Sequence, residues 1–450
     1  MALGYFSEQS FPFQGDDYLR IASCPSDGSS ARRWLVEAHE TLSPLLPDDS
    51  APALLTDQLV GPGGNPVDVF AHFGVNPARL ASLRHNFAGL SQTARAAGAS
   101  RAPDAPIAPW ANFDDVWIPV ADGVELSARF GRARPADESG EADCIVILPG
   151  LFGDNSILRT RDLAVALCAN GFDALALEFR GHGESLRARR DLFYNFGILE
   201  SADLLAVSRW LQDRQGVRRT GLVGFCWGAN HALMAAWYDV RPEPHVSVTD
   251  KLAAYLPPAV PRCHYEAGVM ALSPVLNFER LINDLDQPWS SFRHPVNSGL
   301  QKTIKTRMAF RGFESPNGSL RRLVDEEFAR SPVNYPGVAS DVNRLMRLLP
   351  FEGEPDGSKL DDLRVPTLIV HAANDPMSPA QDVALLASRV RNPLVAAAVL
   401  PGGGHVGFAA YARAYYYSLI MNYFDPIVGA AATRDSPART AASAPAAASS

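Results

Sequence analysis

Short apolar runs and longer amphipathic segments alternate along most of this chain. Six runs recur in order: CIVILP (144–149), DALALEF (173–179), TGLVGF (220–225), AGVMALS (267–273), PTLIVHA (366–372) and LVAAAVL (394–400). Continuous apolar runs of this length are typical of strands that are buried on both faces. Segments with helical spacing lie between them, so the pattern predicts an α/β fold with a mostly parallel sheet and helices on both faces.

Two segments depart from this alternation. VWIPVADGVELSARF, which begins at residue 116, predicts a hairpin around Asp122-Gly123 ahead of the first buried run. Residues 277–350 contain several helical patterns and no good strand. We predict that they form an inserted helical cap over the carboxyl edge of the sheet, where open α/β sheets bind ligands.

The two ends of the chain differ from this α/β domain, which we place at residues 113–428. Residues 1–112 are interpreted as an N-terminal helical extension and linker, with helices over 31–46 and 76–98 and a Pro/Ala-rich segment before residue 113. Residues 429–450 are rich in Ala, Ser, Pro and Thr and lack large apolar side chains. Such a composition predicts a disordered tail.

Charge and cysteine content narrow the class of protein. The 450 residues include 41 Lys and Arg against 49 Asp and Glu, and this net charge of −8 argues against a general nucleic-acid or anionic-membrane surface. The five cysteines show no CxxC spacing, which argues against a disulfide framework or a structural zinc site. There is no signal-peptide pattern and no apolar stretch of the ~18 residues that a membrane span needs. We expect a soluble, cytoplasmic protein.

One junction between a strand and a helix carries a candidate nucleophile. GFCWGAN (224–230) follows the run TGLVGF and precedes a helical pattern. A turn that lifts a nucleophile above the sheet needs small residues two positions before and after it, and Gly224 and Gly228 meet this need. Cys226 would lie at a helix N-terminus, where the helix dipole favours a thiolate. The alternative is that Cys226 is a small buried apolar residue.

Two residues after later strands can complete a triad with Cys226. Asp375 follows PTLIVHA, and His405 follows LVAAAVL. In folds of this kind, the nucleophile, the acid and the histidine occur in this chain order at the carboxyl ends of strands. Taken singly, Asp375 could be a turn residue before Pro376 and His405 a polar residue in a glycine-rich loop. Their joint order favours a catalytic triad.

Backbone N–H groups would complete the site as an oxyanion hole. We expect one donor to be the N–H of Trp227, immediately after the nucleophile. The second is expected from the loop PGLFG (149–153), with Leu151 preferred and Phe152 as the alternative. The same loop could also be a plain glycine turn between a strand and a helix.

These residues together resemble the α/β-hydrolase fold over about residues 114–425. Within that superfamily the chain is most similar to the YheT-like hydrolases, which are related to the animal abhydrolase-domain proteins. The motifs that carry this likeness are LPGLFG (148–153), FRG (179–181), the elbow with Asn230, Asp375-Pro376 and GGHVGF (403–408). The resemblance implies a nucleophile–Asp–His triad and esterase-like chemistry, usually without a cofactor, and we expect no metal.

The chain departs from that family at two positions. Cys226 stands where the family usually has Ser, and Pro149 stands where the oxyanion loop usually begins with His. A G-x-C-x-G elbow also resembles the dienelactone hydrolases, which hydrolyse a lactone. It is similar as well to the polyhydroxyalkanoate synthases, which transfer hydroxyacyl groups from coenzyme A.

The sequence therefore predicts an enzyme that cleaves a small-molecule carboxylic ester or thioester through a Cys-His-Asp triad and an acyl-enzyme intermediate. One alternative is an acyltransferase that resembles the polyhydroxyalkanoate synthases. Another is a non-catalytic binding protein that keeps the fold, which the Cys in place of Ser allows.

Overall fold

The computed structural model describes residues 9–21, 24, 31–47, 51–74, 83–96, 105–133, 141–213, 217–258, 264–287, 294–315, 318–349 and 358–424. Its strands are β1 (Leu54–Leu55), β2 (Phe113–Ala121), β3 (Val124–Gly131), β4 (Ala142–Leu148), β5 (Asp173–Leu177), β6 (Val217–Phe225), β7 (Val269–Leu272), β8 (Thr367–Ala372) and β9 (Val395–Leu400). They form one sheet in the order β1-β9-β8-β7-β6-β4-β5-β3-β2. The predicted α/β fold with a mostly parallel sheet is confirmed.

Parallel pairing joins strands β4 to β9, and antiparallel strands lie at both edges of the sheet. The central strands are buried along their whole length, as their continuous apolar sequences predict. All the parallel strands therefore end at one edge of the sheet, where the loops that follow β4, β6, β8 and β9 meet.

The helices before residue 260 are α1 (Ala31–Leu42), α2 (Val69–His72), α3 (Leu83–Ala96), α4 (Leu158–Ala169), α5 (Gly183–Ala188), α6 (Ile198–Gln212), α7 (Trp227–Tyr238) and α8 (Asp250–Ala253). Those that follow are α9 (Phe278–Asp286), α10 (His294–Phe310), α11 (Leu320–Arg330), α12 (Val338–Met346), α13 (Gln381–Ala387), α14 (Phe408–Tyr411) and α15 (Arg413–Phe424). Buried side chains of α1, α4 and α15 cover one face of the sheet, and those of α6, α7 and α13 cover the other. No helix in the described ranges has the length and apolarity that a membrane crossing requires.

Helices α9 to α12 form the inserted cap between β7 and β8. The cap contacts the first turn of α7, since the rings of Phe278 and Trp227 lie with their centroids 4.4 Å apart. Helix α9 is strongly amphipathic, and its apolar side chains Leu281, Ile282 and Leu285 are buried. The cap therefore lies above the strand-to-helix junction that carries Cys226.

The N-terminal segment adds to the sheet and to its carboxyl edge. Strand β1 pairs with β9 through Leu54 and Val399. Helix α3 covers residues 83–96 of the helix predicted over 76–98, while residues 76–82 of that prediction lie outside the described part of the chain. The predicted disordered tail, 429–450, also lies outside it. Helix α3 contacts α14 beside the loop that carries His405.

Two element boundaries differ from the sequence prediction. Strand β5 ends at Leu177 rather than at residue 179, because the N–H of Glu178 donates to Ser127 and its carboxylate accepts the backbone N–H groups of Asn155 and Glu184. The helix predicted over 406–423 is two helices, because Ala412 has an extended backbone between α14 and α15 (φ −147°, ψ 77°).

Candidate active site

Cys226 lies at the apex of a tight turn between β6 and α7. We call residues 224–228 the elbow. Cys226 has φ 54° and ψ −121°, which is strained for a residue with a side chain. A Cβ atom at Gly224 would overlap the backbone of Gly228, and one at Gly228 would overlap the carbonyl oxygens of Leu148 and Pro149. Only glycine fits at these two positions, so the turn holds the partly accessible thiol of Cys226 above the end of β6.

An imidazole and a carboxylate meet at the neighbouring strand ends. His405 Nδ1 lies 2.8 Å from Asp375 Oδ2. The Asp375 side chain is fully buried, and its Oδ1 accepts the backbone N–H groups of Met377 at 2.7 Å and Ser378 at 3.0 Å. Nε2 of His371 lies 3.6 Å from the same Oδ2 atom. Nε2 of His371 is hydrogen-bonded to the carbonyl oxygen of Ser378 at 2.9 Å, so the two backbone N–H groups are the donors that fix the carboxylate beside the ring of His405.

The thiol and the imidazole shift each other's protonation. Burial opposes ionisation of Cys226, but the positive charge of His405 and the backbone N–H groups of Trp227 and Leu151 outweigh it and lower the pKa of the thiol. Burial also opposes the charge on His405, but Asp375 and Cys226 raise the pKa of the ring to about 10. The pKa of Asp375 is lowered, since the charge of His405 outweighs the effect of burial. The arrangement favours a thiolate–imidazolium pair.

Nε2 of His405 is buried and makes no hydrogen bond of normal geometry with any residue in the described ranges. Nδ1 is engaged by Asp375, so Nε2 is the ring atom left for the thiol. Contacts of this kind are often loose without substrate and tighten when the reacting groups are in place.

The loop after β4 lies against the elbow, because a Cβ atom at Gly150 would be 3.7 Å from the sulfur of Cys226. The N–H groups of Leu151, in this loop, and of Trp227, the first residue of α7, help to lower the pKa of the thiol. We call residues 149–153 the oxyanion loop. Its Phe152, the alternative donor in the sequence analysis, has φ 58° and turns its ring toward His182. The preference for Leu151 as the second oxyanion donor stays a prediction.

Helix α3 holds the loop that carries His405, a relation that the sequence analysis missed. We call residues 401–407 the histidine loop. Gln92 Oε1 accepts the N–H of Gly403 at 2.9 Å, and Thr93 Oγ1 accepts the N–H of His405 at 2.7 Å. The same Thr93 hydroxyl donates to the carbonyl oxygen of Gly89 at 2.7 Å. Two neighbouring side chains of one helix therefore fix the histidine loop.

The close approach of α3 explains the glycines of the histidine loop. A Cβ atom at Gly404 would overlap Gly89, and one at Gly407 would overlap the backbone of Gln92. Asn374, the neighbour of Asp375, accepts the N–H of Gly404 at 2.8 Å and so ties the acid loop to the histidine loop. The glycine density of residues 402–407 was the sequence signal for a tight contact, but it did not identify the partner.

The other histidines near the sheet edge have different partners. His231, on α7, is fully buried, with Nε2 2.6 Å from the Tyr194 hydroxyl and Nδ1 3.2 Å from Ser201 Oγ. His182 is also buried, and its Nδ1 lies 2.7 Å from the carbonyl oxygen of Arg180. Burial lowers the pKa of both rings, to about 3 for His231. Both are neutral at physiological pH.

No group of three or more His, Cys, Asp or Glu side chains with the arrangement of a metal site occurs among the residues that the structure describes. The cysteines within these ranges, Cys24, Cys144, Cys168 and Cys226, are free thiols. Cys226 differs from Cys168 in its electrostatics, because burial raises the pKa of Cys168 to about 12.

Comparisons with known proteins agree with this fold. The profile described as "Alpha/beta hydrolase family" matches residues 145–416, more than half of the chain. A Bradyrhizobium protein described as a probable 2-oxo-3-(5-oxofuran-2-ylidene)propanoate lactonase is 26% identical over 130 residues, which are 27% of this chain and 50% of that protein. The chain thus matches about half the length of this curated relative.

Solved structures of esterases are also similar to this chain. An esterase of Pyrococcus furiosus is 17% identical, with a TM-score of 0.43 over 70% of this chain and 93% of its own. An esterase of Pyrobaculum calidifontis is 14% identical, with a TM-score of 0.41 over 77% of this chain and 92% of its own.

Proposed function

The chain belongs to the alpha/beta hydrolase family, and from this premise we propose that it hydrolyses a carboxylic ester or thioester through a Cys226–His405–Asp375 triad. The supporting observation is geometric: the strained elbow holds Cys226 at the end of β6, and His405 lies 2.8 Å from Asp375 at the neighbouring strand ends. The charge of His405 also lowers the pKa of the thiol. A thiolate is the nucleophilic form of cysteine, and a neighbouring imidazolium stabilises it.

Acylation begins when the sulfur attacks the carbonyl carbon of the substrate and the carbonyl oxygen becomes an oxyanion. The N–H groups of Trp227 and Leu151 stabilise this oxyanion, and each such donor lowers a barrier by ~3 kcal/mol. His405 then gives its proton to the leaving alcohol or thiol as the carbon–oxygen or carbon–sulfur bond breaks. Asp375 keeps the ring in the tautomer and orientation that this transfer needs.

Deacylation returns the enzyme to its starting state. His405, now neutral, takes a proton from water while the water oxygen attacks the acyl carbon. The thioester bond to Cys226 breaks, the acid is released and the thiolate–imidazolium pair re-forms. The 130-residue similarity to a probable lactonase supports a cyclic ester as one form of the substrate.

The proposal is tested by following the acyl group onto the protein. The wild-type chain is mixed with acyl nitrophenyl esters and acyl thioesters, quenched in acid and analysed by mass spectrometry of its peptides. We expect an acyl mass increment on the Cys226 peptide and loss of turnover in Cys226→Ala. Cys168→Ala is the matched control, because Cys168 is also partly exposed but its raised pKa keeps it protonated. Undiminished turnover in Cys226→Ala would refute the proposal.

A further inference from the structure

One guanidinium in the cap is buried without a counter-ion. Arg307, on α10, is only 2% exposed. Its Nη2 donates to the carbonyl oxygen of Gly181, whereas its Nε has no acceptor. Within the described ranges, no carboxylate lies at ion-pair distance from this side chain. Burying an unpaired charge is costly, so such a group is expected to meet an anion when the site is filled.

The neighbouring buried arginines make the contrast clear. Arg311, which directly follows the last residue of α10, donates to both carboxylate oxygens of Glu327, at 3.0 and 3.1 Å. Arg180 forms a two-pronged ion pair with Asp203, at 2.6 and 2.7 Å. Arg307 is thus the member of this group that lacks a carboxylate. Burial and the charge of Arg311 lower the pKa of Arg307 to about 9, which the more distant Glu327 and Asp154 only partly oppose.

Arg307 lies against the oxyanion loop. Its Cζ is 4.7 Å from the centroid of the Phe152 ring, and Phe152 is the residue after Leu151. The other sides of that ring face Tyr194 and His182, each with its centroid 5.9 Å away. The guanidinium therefore reaches from the cap to the oxyanion loop, and the same loop lies against the elbow, since a Cβ atom at Gly150 would be 3.7 Å from the sulfur of Cys226.

A second buried polar atom without a hydrogen-bond partner in the described ranges belongs to His182, which also packs on the ring of Phe152. Nδ1 of His182 donates to the carbonyl oxygen of Arg180, so Nε2 carries the lone pair of the neutral ring. That Nε2 atom is buried and has no partner in the described part of the chain. Both Arg307 and His182 pack on Phe152, but they differ in what they can bind: the guanidinium donates to an acceptor such as a carboxylate, whereas the Nε2 lone pair of His182 accepts only from a donor.

We propose that Arg307 binds a carboxylate of the substrate, so that this site selects esters that carry a second, free carboxylate group. A planar guanidinium with a single charge matches a planar carboxylate with a single charge, and such pairs form strong charge-assisted hydrogen bonds. The inference rests on the proposed function, because it names the class of ester that the Cys226 site takes.

The test compares substrates that differ only in this charge. One pair is the mono-nitrophenyl ester of glutaric acid and the same ester with its distal carboxyl methylated. A second pair is 3-acetoxybenzoate and its methyl ester, which moves the carboxylate to the leaving group. We expect kcat/KM for the carboxylate member of at least one pair to exceed that of its methylated partner by about 30-fold or more, the usual worth of a buried charge pair.

Arg307→Met should abolish this preference. The substitution keeps most of the side-chain volume and removes a buried charge, so we expect the variant to fold, as thermal melting will verify. The kcat/KM ratio within the preferred pair should fall to about one, because only the carboxylate member of the pair uses the charge of Arg307. Lys305→Met is the matched control, because Lys305 is a partly exposed cation on the same helix.

Three outcomes would overturn the inference: no preference in the wild type, an unchanged ratio in Arg307→Met, or an equal loss on both members of the pair. Failure of the proposed function looks different, because it would appear as turnover that survives Cys226→Ala on every substrate. A wild type that needs Cys226 but ignores the carboxylate would retain the triad proposal and reject the role of Arg307.

Discussion

The elbow and the histidine loop contribute to the same site but are held in different ways. The elbow is local: β6, the turn and α7 are consecutive, and the turn is dictated by Gly224 and Gly228. The histidine loop depends on a helix 312 positions away, because Thr93 accepts the N–H of His405. The family match begins at residue 145, after this helix. Cys226 is thus positioned by elements within the matched region, and His405 also by an element that precedes it.

This difference assigns a role to helix α3. Each hydrogen bond from the histidine loop to Gln92 or Thr93 is worth about 1 kcal/mol, and loss of either acceptor leaves a buried N–H unsatisfied. Because a displacement of 1 Å in a catalytic group can cost about 100-fold in rate, α3 acts as a positioning element. We expect substitutions in the elbow and in the histidine loop to differ in the size of their effects on activity and stability.

We expect the largest loss of activity from a substitution that changes the chemistry of the Asp375–His405 pair but keeps the shape of the side chain. Asp375→Asn should lower kcat/KM by about 10⁴-fold, because the amide favours the wrong tautomer of His405. Steady-state kinetics with a nitrophenyl ester measures this loss.

Asp143→Asn is the control: Asp143 is a buried carboxylate that pairs with Arg218 and Arg219 at the opposite end of β4. Its replacement should lower thermal stability with little loss of kcat per folded molecule. A fall of less than tenfold in Asp375→Asn would contradict the assigned role.

The elbow should tolerate no side chain at its second glycine. In Gly228→Ala, the new methyl group would overlap the carbonyl oxygens of Leu148 and Pro149 and push the oxyanion loop away from Cys226. We expect kcat/KM to fall by about 100-fold or more and the free energy of unfolding to fall by about 2–4 kcal/mol.

Gly299→Ala is the matched control for the elbow glycine. A Cβ atom there meets nothing within 4 Å, and the residue lies inside α10. This substitution should stabilise the protein by about 0.5–1 kcal/mol and leave activity unchanged. Equal behaviour of the two variants would show that the elbow relaxes without cost.

The contrast between the two halves also explains what the sequence predicted. The sequence could place Cys226, Asp375 and His405 at one edge of the sheet because each lies shortly after a buried strand, and the carboxyl ends of parallel strands meet at that edge. The predicted positions of Leu151 and Trp227 rest on the same rule, and the catalytic roles of all five residues stay predictions. Uninterrupted apolar runs likewise predicted the central strands, because these strands are buried on both faces. The helical spacing of apolar residues predicted most of the helices.

The missed features are those that depend on tertiary contacts. Gln92 and Thr93 lie on an amphipathic helix with no chemical motif, so nothing local indicates that they bind the histidine loop. Helical periodicity placed Arg307 in a cap helix but could not show that it is buried, since an arginine in a helix is normally solvated. The break at Ala412 was hidden because both flanking helices are apolar.

Removing the hydroxyl of Thr93 should have a smaller effect on activity. It tests whether α3 positions the histidine loop. Thr93→Val keeps the shape but leaves the N–H of His405 without its acceptor. We expect kcat/KM to fall by about 10- to 100-fold and the free energy of unfolding to fall by about 1–3 kcal/mol. Thr41→Val is matched, since Thr41 also donates to the carbonyl oxygen four residues earlier but accepts nothing from a loop. If both variants retain full activity, α3 does not position the histidine.

We expect the smallest effect in the pH dependence of the free energy of unfolding. It depends on the protonation of Cys226 in the elbow and of His405 in the histidine loop. In the folded chain the pKa of His405 is raised from 6.5 to about 10 and that of Cys226 is lowered below 9. Below about pH 9, and above both pH 6.5 and the lowered pKa of the Cys226 thiol, the folded pair keeps the imidazole proton but has lost the thiol proton, while the unfolded pair has done the reverse. Both states then bind the same number of protons, so the pair adds no pH dependence to the free energy of unfolding in this window.

Removing the sulfur uncovers the titration of the imidazole. In Cys226→Ala, Asp375 still raises the pKa of His405, so the stabilisation by its proton is full below pH 6.5 and is lost as the pH rises toward the folded pKa. From pH 7.0 to 8.5 we expect the variant to lose unfolding free energy relative to wild type, by at most about 1.4 kcal/mol per pH unit for the one proton involved. Urea denaturation at the two pH values measures this difference. Parallel pH profiles in the two proteins would mean that Cys226 and His405 do not share a proton in the folded state, and the elbow and the histidine loop would then be neighbours without electrostatic coupling.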